Sequence, residues 1–163
     1  MKIEKIQSKN LNQNRLPVEE LIEKALAARK NAYTPYSHFQ VGAALLTESG
    51  QIYTGCNIEN AAYGSTVCAE RCAIFKAVSE GALSLKAIAI AGGSEKETDI
   101  LSGYAFPCGV CRQVMREFAK DAVFKVVVAR SITDFQIFSL KELLPNSFGP
   151  ENLSVKELEG GTE

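Results

Sequence analysis

Hydrophobic positions along the chain fall into segments of two distinct periodicities. Val18, Leu21, Ile22, Ala25 and Ala28 recur at the three-and-four spacing of one helix face. Pro17 stands where a first helical residue belongs, and Glu19 and Glu20 place negative charge in the first turn, where the helix dipole favours it. This predicts an amphipathic helix ending near Asn31, ahead of Pro35. Val41 to Leu46 is a short apolar run, Glu48-Ser49-Gly50 is a turn, and Gln51 to Asn57 reads as the return strand of a hairpin. Asn60 to Ser65 contains Gly64 and reads as a loop. Ser65 or Thr66 is placed to cap a helix from about Val67 to Glu80, which Gly81 stops. Ala87 to Ala91 predicts a strand, and Gly92 to Phe106 a long polar loop. Pro107 opens a further helix with Val110, Val114, Met115 and Phe118 at its apolar positions. Val123 to Ala129 is apolar enough for a strand buried on both faces. Phe135 to Leu140 reads as a last strand, and Lys141 to Leu144 as at most a short helix before Pro145.

The resulting order is α-β-β-α-β-α-β-β. A hairpin followed by alternating helices and strands predicts a three-layer α/β/α sandwich around a mixed sheet of about five strands. Residues 1–16 are polar and patternless and are expected to form a flexible arm. Residues 17–153 are expected to form one domain, and 154–163, charged and Gly-rich, a flexible tail. A length of 163 residues suits one domain with one core. Eighteen Lys and Arg against nineteen Asp and Glu leave a net charge of −1, which argues against phosphate-driven nucleic-acid binding. No apolar run approaches the ~18 residues of a membrane helix, and the first residues lack the apolar core of a secretory signal. The expectation is a cytoplasmic protein with no membrane and no nucleic-acid partner. Its five cysteines then need a reason other than disulfides.

Cys108 and Cys111 form a C-x-x-C pair in Pro107-Cys108-Gly109-Val110-Cys111, expected on one face of the first turn of its helix. Cys68 is expected in the first turn of the other, in Cys68-Ala69-Glu70-Arg71. Helix N-termini favour thiolates, so the two helix starts together offer three. Three protein ligands leave a zinc ion one open position for water, whose pKa falls to about 7. Glu70, two residues beyond Cys68, can move protons there without being a ligand. Arg71 is placed to offset the surplus negative charge, and Gln113 to donate a hydrogen bond to a sulfur. A lone C-x-x-C is equally a redox pair or half of a structural zinc site. C-A-E followed some forty residues later by P-C-x-x-C is far more specific, and matches the signature of zinc deaminases.

With these motifs the chain resembles the homotetrameric cytidine deaminases of pyrimidine salvage. The resemblance runs from about Val18 to Leu153. It is carried by Pro35-Tyr36-Ser37-His38-Phe39 with Val41-Gly42-Ala43-Ala44, by Gly55-Cys56-Asn57-Ile58-Glu59-Asn60-Ala61-Ala62-Tyr63, by Cys68-Ala69-Glu70-Arg71, by Pro107-Cys108-Gly109-Val110-Cys111-Arg112-Gln113, and by Leu143-Leu144-Pro145 with Phe148. It implies Cys68, Cys108 and Cys111 as ligands of one Zn2+ per subunit and Glu70 as the general acid and base. Glu70 would take a proton from the zinc-bound water and deliver it to ring N3 while hydroxide attacks C4, then help the amine leave as ammonia. Phe39 matches the aromatic that packs on the pyrimidine, and Asn57 and Glu59 the pair that hydrogen-bonds the ribose. A carboxylate there favours a nucleoside over a nucleotide. Ala61 and Tyr63 match positions that reach a neighbouring subunit's substrate, and Phe148 an aromatic that closes over a site across an interface. The resemblance thus implies a homotetramer with shared active sites, acting on cytidine and deoxycytidine.

Other readings compete with these. Cys56 alternates away from Asn57 and reads as a packed thiol. Cys72, at i+4 from Cys68, reads as a small packed side chain with some access to the metal. His38, the only histidine, reads as a loop residue. Blasticidin-type deaminases also combine three cysteines with C-A-E but lack the Asn-x-Glu pair in this form. A zinc-stabilised binding module would need a fourth protein ligand and leave Glu70 without a role. Phe39, Tyr63 and Phe148 have plain packing alternatives. The resemblance accounts neither for the 92–106 loop nor for the N-terminal arm.

Overall fold

A computed structural model describes residues 16–98, 100–119 and 123–153. All but Leu16 of the expected arm, and the whole of the expected tail, lie outside these residues. The described elements are α1 (Val18–Arg29), β1 (Phe39–Thr47), β2 (Ile52–Cys56), α2 (Ala69–Ser79), β3 (Leu85–Ser94), α3 (Gly109–Phe118), β4 (Lys125–Ala129), β5 (Phe135–Ser139) and α4 (Leu140–Leu143), with 3-10 turns at Tyr63–Ser65 and Pro150–Leu153. The strands form one sheet in the order β2-β1-β3-β4-β5. Only β3 and β4 run parallel; the other three pairings are antiparallel. This is the mixed five-stranded α/β fold expected from the sequence.

Strand alternation sorts the core into two layers. Ala43, Leu45, Ile88, Ile90, Val126 and Val128 face α2 and α3, where they meet Ala73, Ile74, Cys111 and Met115. Ala44, Leu46, Ala87, Ala89, Ala91, Val127 and Ala129 face α1 and meet Leu21, Ile22 and Ala25. Residues on the α1 side are mostly small because that helix lies flush on the sheet. A Cβ at Gly42 would stand 2.0 Å from Ala25 O and 2.4 Å from Arg29 N, so glycine there is required by backbone proximity.

Element boundaries differ from the sequence reading at several points. Pro17 is the N-cap of α1, not its first residue. The second helix starts at Ala69 with Cys68 as N-cap, because Val67 is drawn into a bridge with Ile58 and Ser65 into the preceding 3-10 turn. Neither Ser65 nor Thr66 caps it. Likewise Cys108, not Pro107, precedes the first turn of α3. β3 runs on through Gly92 and Gly93 to Ser94, pairing with the start of β1. Val123 is exposed in a turn, and β4 begins at Lys125. Leu140 opens α4, where Ser139 and Glu142 form a capping box.

Candidate active site

The N-termini of α2 and α3 converge on one face of the sheet. Cys68 and Cys108 are their N-caps and Cys111 is the third residue of α3. All three sulfurs lie within 4.8 Å of one another, with Cys68 Sγ and Cys108 Sγ 3.9 Å apart. Neither N-cap thiol is spent on capping its own helix. Gly55 brings α2 against β2: a Cβ there would stand 2.5 Å from Ala73 N and 2.6 Å from Ala69 O. Arg71 Nη2 bonds Thr66 O at 3.1 Å and lies 3.7 Å from Cys68 Sγ. The Cys68 thiol is pulled down to about 5, first by the Cys111 S–H and then by the Arg71 guanidinium. The Cys111 thiol, which keeps its proton in that pair, is pushed up.

This donor set fits zinc. Sulfurs at about 2.3 Å from a tetrahedral ion are about 3.8 Å apart, close to the observed Cys68–Cys108 separation. Soft thiolates select zinc over hard cations, and all five cysteines are free of disulfides. Among the described residues these three form the only group of His, Cys, Asp or Glu close enough to hold a metal. Cys72 is not in it. Burial pushes the Cys56 and Cys72 thiols up, and Cys56 Sγ donates to Asn31 O at 3.4 Å.

Glu70, in the first turn of α2, is 4% exposed. Burial, with the Cys68 charge adding to it, pushes its carboxyl up to about 7. That shift moves the carboxyl toward the range in which a side chain can both take up and release a proton near neutral pH.

Of the residues expected on the substrate side, Glu59 and Tyr63 line a cavity next to the sulfur group, and Phe39, Asn57, Ala61 and Phe148 are not in its lining. Glu59, Tyr36, Ser37, Tyr63 and Thr66 line an open cavity of about 370 Å³. Arg71 links Thr66 on its wall to Cys68. The Glu59 carboxylate accepts from Tyr36 N at 2.9 Å and Ser37 N at 3.3 Å, and hydrogen bonding from Ser37 holds it below the usual carboxylate range. Asn57 Oδ1 accepts from Val41 N at 2.8 Å and its Nδ2 donates to Phe39 O at 2.9 Å. Phe39 opens β1 with 43% of its surface exposed. Ala61, in the loop before the Tyr63–Ser65 turn, is exposed. Tyr63 and Phe148 project outward, 75% and 58% exposed. Gln113 Nε2 donates to Phe148 O at 3.0 Å, so this bond goes to the C-terminal segment and not to a sulfur. Arg112 and Arg116 grip the same segment, through Leu143 O and through Ser147 Oγ and Glu151. These two arginines, and the buried Arg29 discussed below, were not singled out from the sequence. The signal for Arg29 was a charge continuing the apolar stripe of α1.

Residues 17–128 match the family model described as the cytidine and deoxycytidylate deaminase zinc-binding region. The chain belongs to this deaminase family. It is 48% identical over 139 residues to the cytidine deaminase of Sporosarcina psychrophila, covering 85% of this chain and 96% of that one. The crystal structure of the Burkholderia pseudomallei cytidine deaminase superposes with a TM-score of 0.71 at 45% identity, covering 79% of this chain and 97% of that one. The Mycobacterium tuberculosis cytidine deaminase superposes at 0.69 with 34% identity, covering 83% and 99%. The deaminase family accounts for both the mixed sheet and the clustered thiols, and the protein is a hydrolase of the cytidine deaminase type. No helix among the described residues is long and apolar enough to cross a membrane.

Proposed function

We propose that the protein hydrolyses cytidine and deoxycytidine to uridine and deoxyuridine plus ammonia, in pyrimidine salvage, with one zinc per subunit held by Cys68, Cys108 and Cys111. The observation that carries this is the buried Glu70 carboxyl two residues from Cys68 of the three-sulfur group. When bound, zinc supplies a Lewis acid that makes water acidic enough to be a nucleophile at neutral pH. Glu70 accepts a proton from the attacking water at its carboxylate and passes it to N3 of the ring as the water oxygen bonds to C4. This breaks the aromaticity and leaves C4 tetrahedral, bearing a hydroxyl and the amino group. Glu70 then moves the hydroxyl proton to the amino nitrogen, and the C4–N bond breaks as the C4 carbonyl forms, releasing ammonia. Arg71 offsets part of the charge of three thiolates, and Gln113 steadies α3 beside them.

Phe39 is proposed to pack on the pyrimidine, and Asn57 and Glu59 to bind the ribose. The depressed pKa of Glu59 supports a carboxylate that accepts from hydroxyls and repels a phosphate, which favours nucleosides. The same pair separates this reading from that of a blasticidin-type deaminase. The exposure of Tyr63 and Phe148 supports a homotetramer in which they, with Ala61, serve neighbouring active sites. Five free thiols accord with a reducing, cytoplasmic setting.

The test is conversion of cytidine followed by ultraviolet absorbance, with Glu70→Gln as the partner experiment. Glu70→Gln is expected to keep its zinc and its melting temperature while kcat falls by roughly 10²–10⁴-fold. Undiminished turnover in that variant would remove Glu70 from the chemistry. Absence of turnover in the zinc-loaded native protein would redirect the reading to another amine-bearing substrate or to a non-catalytic zinc domain.

A further inference from the structure

Arg29 ends α1 within its apolar stripe and is only 3% exposed. A guanidinium so placed is costly unless its donors are answered. Here the answers are three backbone carbonyls, one from the start of β1 and two from the 94–97 turn at the end of β3. Nε donates to Gln40 O at 3.1 Å, Nη1 to Glu97 O at 2.7 Å, and Nη2 to Ser94 O. Desolvation lowers the pKa of Arg29, and the Glu97 charge opposes that shift. Glu97 is itself held, accepting from Ser94 N at 2.7 Å and Ser102 N at 2.8 Å. The result is a clamp joining the last turn of α1, the start of β1, the end of β3 and the loop that follows it.

The clamp closes around Phe39. Phe39 pairs with Ser94, whose carbonyl Arg29 holds, and precedes Gln40, whose carbonyl Arg29 also holds. The β1–β2 register begins only at Gly42, so this stretch lies beyond the end of strand β2, and the Asn57 side chain secures its other edge. His38, just before Phe39, has a left-handed φ of 55°, and its carbonyl accepts from Glu95 N at 2.9 Å. The aromatic ring lies over Gly92, where an added Cβ would be 3.3 Å from Phe39 Cε1 and 2.7 Å from Ala105 Cβ. The loop after β3 therefore meets the Phe39 region twice, at 94–97 and again at Ala105.

We propose that Arg29, with Glu97 as its counter-charge, is a positioning residue for Phe39, setting where the ring meets the pyrimidine. This rests on the reading of Phe39 as the base-packing aromatic, and it gives the long β3–α3 connection a role in substrate binding.

The experiment is a kinetic cycle of zinc-loaded Arg29→Lys, Phe39→Ala and the double variant on cytidine, with zinc content and melting temperature measured on each. Lysine keeps the charge but loses the planar fork. Arg29→Lys is expected to remain folded and zinc-loaded, with KM raised about tenfold and kcat within about twofold of native. The double variant is expected to have the KM of Phe39→Ala alone. An unchanged KM in Arg29→Lys, or two effects that multiply in full, overturns the inference while leaving the role of Phe39 standing. An unchanged KM in Phe39→Ala overturns that role and the inference with it. If Arg29→Lys does not fold, Glu97→Gln takes its place in the cycle. Its KM rise of about threefold is expected to vanish in the Phe39→Ala background, and persistence of that rise overturns the inference.

Discussion

Burial takes the Glu70 carboxyl out of water and pushes it up to about 7, whereas hydrogen bonds from Ser102 and then from the Ser94 N–H hold Glu97 below the usual carboxylate range. Identical side chains are thus set to different acidities by their surroundings; in the proposed mechanism the first exchanges a proton, while the second keeps a charge whose field reaches Arg29. The second has a consequence for stability. A carboxyl whose folded pKa is depressed stabilises the fold above its unfolded pKa, about 4.3 for Glu. That contribution is lost as pH falls through the folded value. Glu97→Gln is therefore expected to melt below the native protein at pH 7, with the gap narrowing in acid as the native carboxyl takes up its proton. Thermal melts of both proteins at pH 7 and in acid check this; a gap of equal size in both would show that the Glu97 charge does not contribute to stability.

At the scale of elements, the sequence pattern located the four α-helices and five strands among the described residues, and it gathered the three zinc-type thiols, because periodicity and motif spacing are local properties. It placed the starts of α2 and α3 too early for a reason that is not local. Val67 is captured by Ile58 from across the loop, so the helix cannot begin until Cys68, and that leaves a cysteine at the N-cap with its sulfur uncommitted. The approach of α2 to β2 was also illegible, since a glycine in a strand does not say what lies above it. Gly55→Ala tests that approach. The new methyl meets the backbone of Ala69 and Ala73, which cannot move alone, so a loss of ~2 kcal/mol is expected, typical of overpacking. Because the displaced element carries Cys68 and Glu70, the variant is also expected to surrender zinc to a competing chelator sooner than the native protein. Gly103→Ala, where nothing lies within 4 Å of the added methyl, serves as the control and should match native in both respects. Native-like zinc retention in Gly55→Ala would mean that the sulfur group does not depend on how α2 is seated.

At the scale of the whole molecule, the long 92–106 loop and Arg29 were opaque because their meaning lies in contacts far apart in sequence: Leu101 is fully buried and bonded to Arg130, and Glu97 faces α1. The surface raises the complementary question of what is left uncovered. Tyr33, Tyr36, Ile58 and Tyr63 are each at least 48% exposed, and the backbone bridge between Tyr33 and Ile58 and the ring contact between Tyr36 and Tyr63 make them neighbours in pairs. Aromatic and apolar surface of this kind beside a cavity is what a neighbouring subunit would cover. If Tyr63 serves the active site of another chain, loss of Tyr63 and loss of Glu70 damage different sites in a mixed oligomer. Co-expressed Tyr63→Ala and Glu70→Gln chains, separated as mixed assemblies by two affinity tags, are then expected to recover turnover that neither variant shows alone. A site with its own Glu70 intact receives Tyr63 from the partner carrying the Glu70→Gln change. Recovered activity together with a sedimentation mass of about four chains is the expected result. Mixed assemblies of verified composition without recovery would place Tyr63 in its own chain's site, and a monomeric mass would remove the shared-site arrangement altogether.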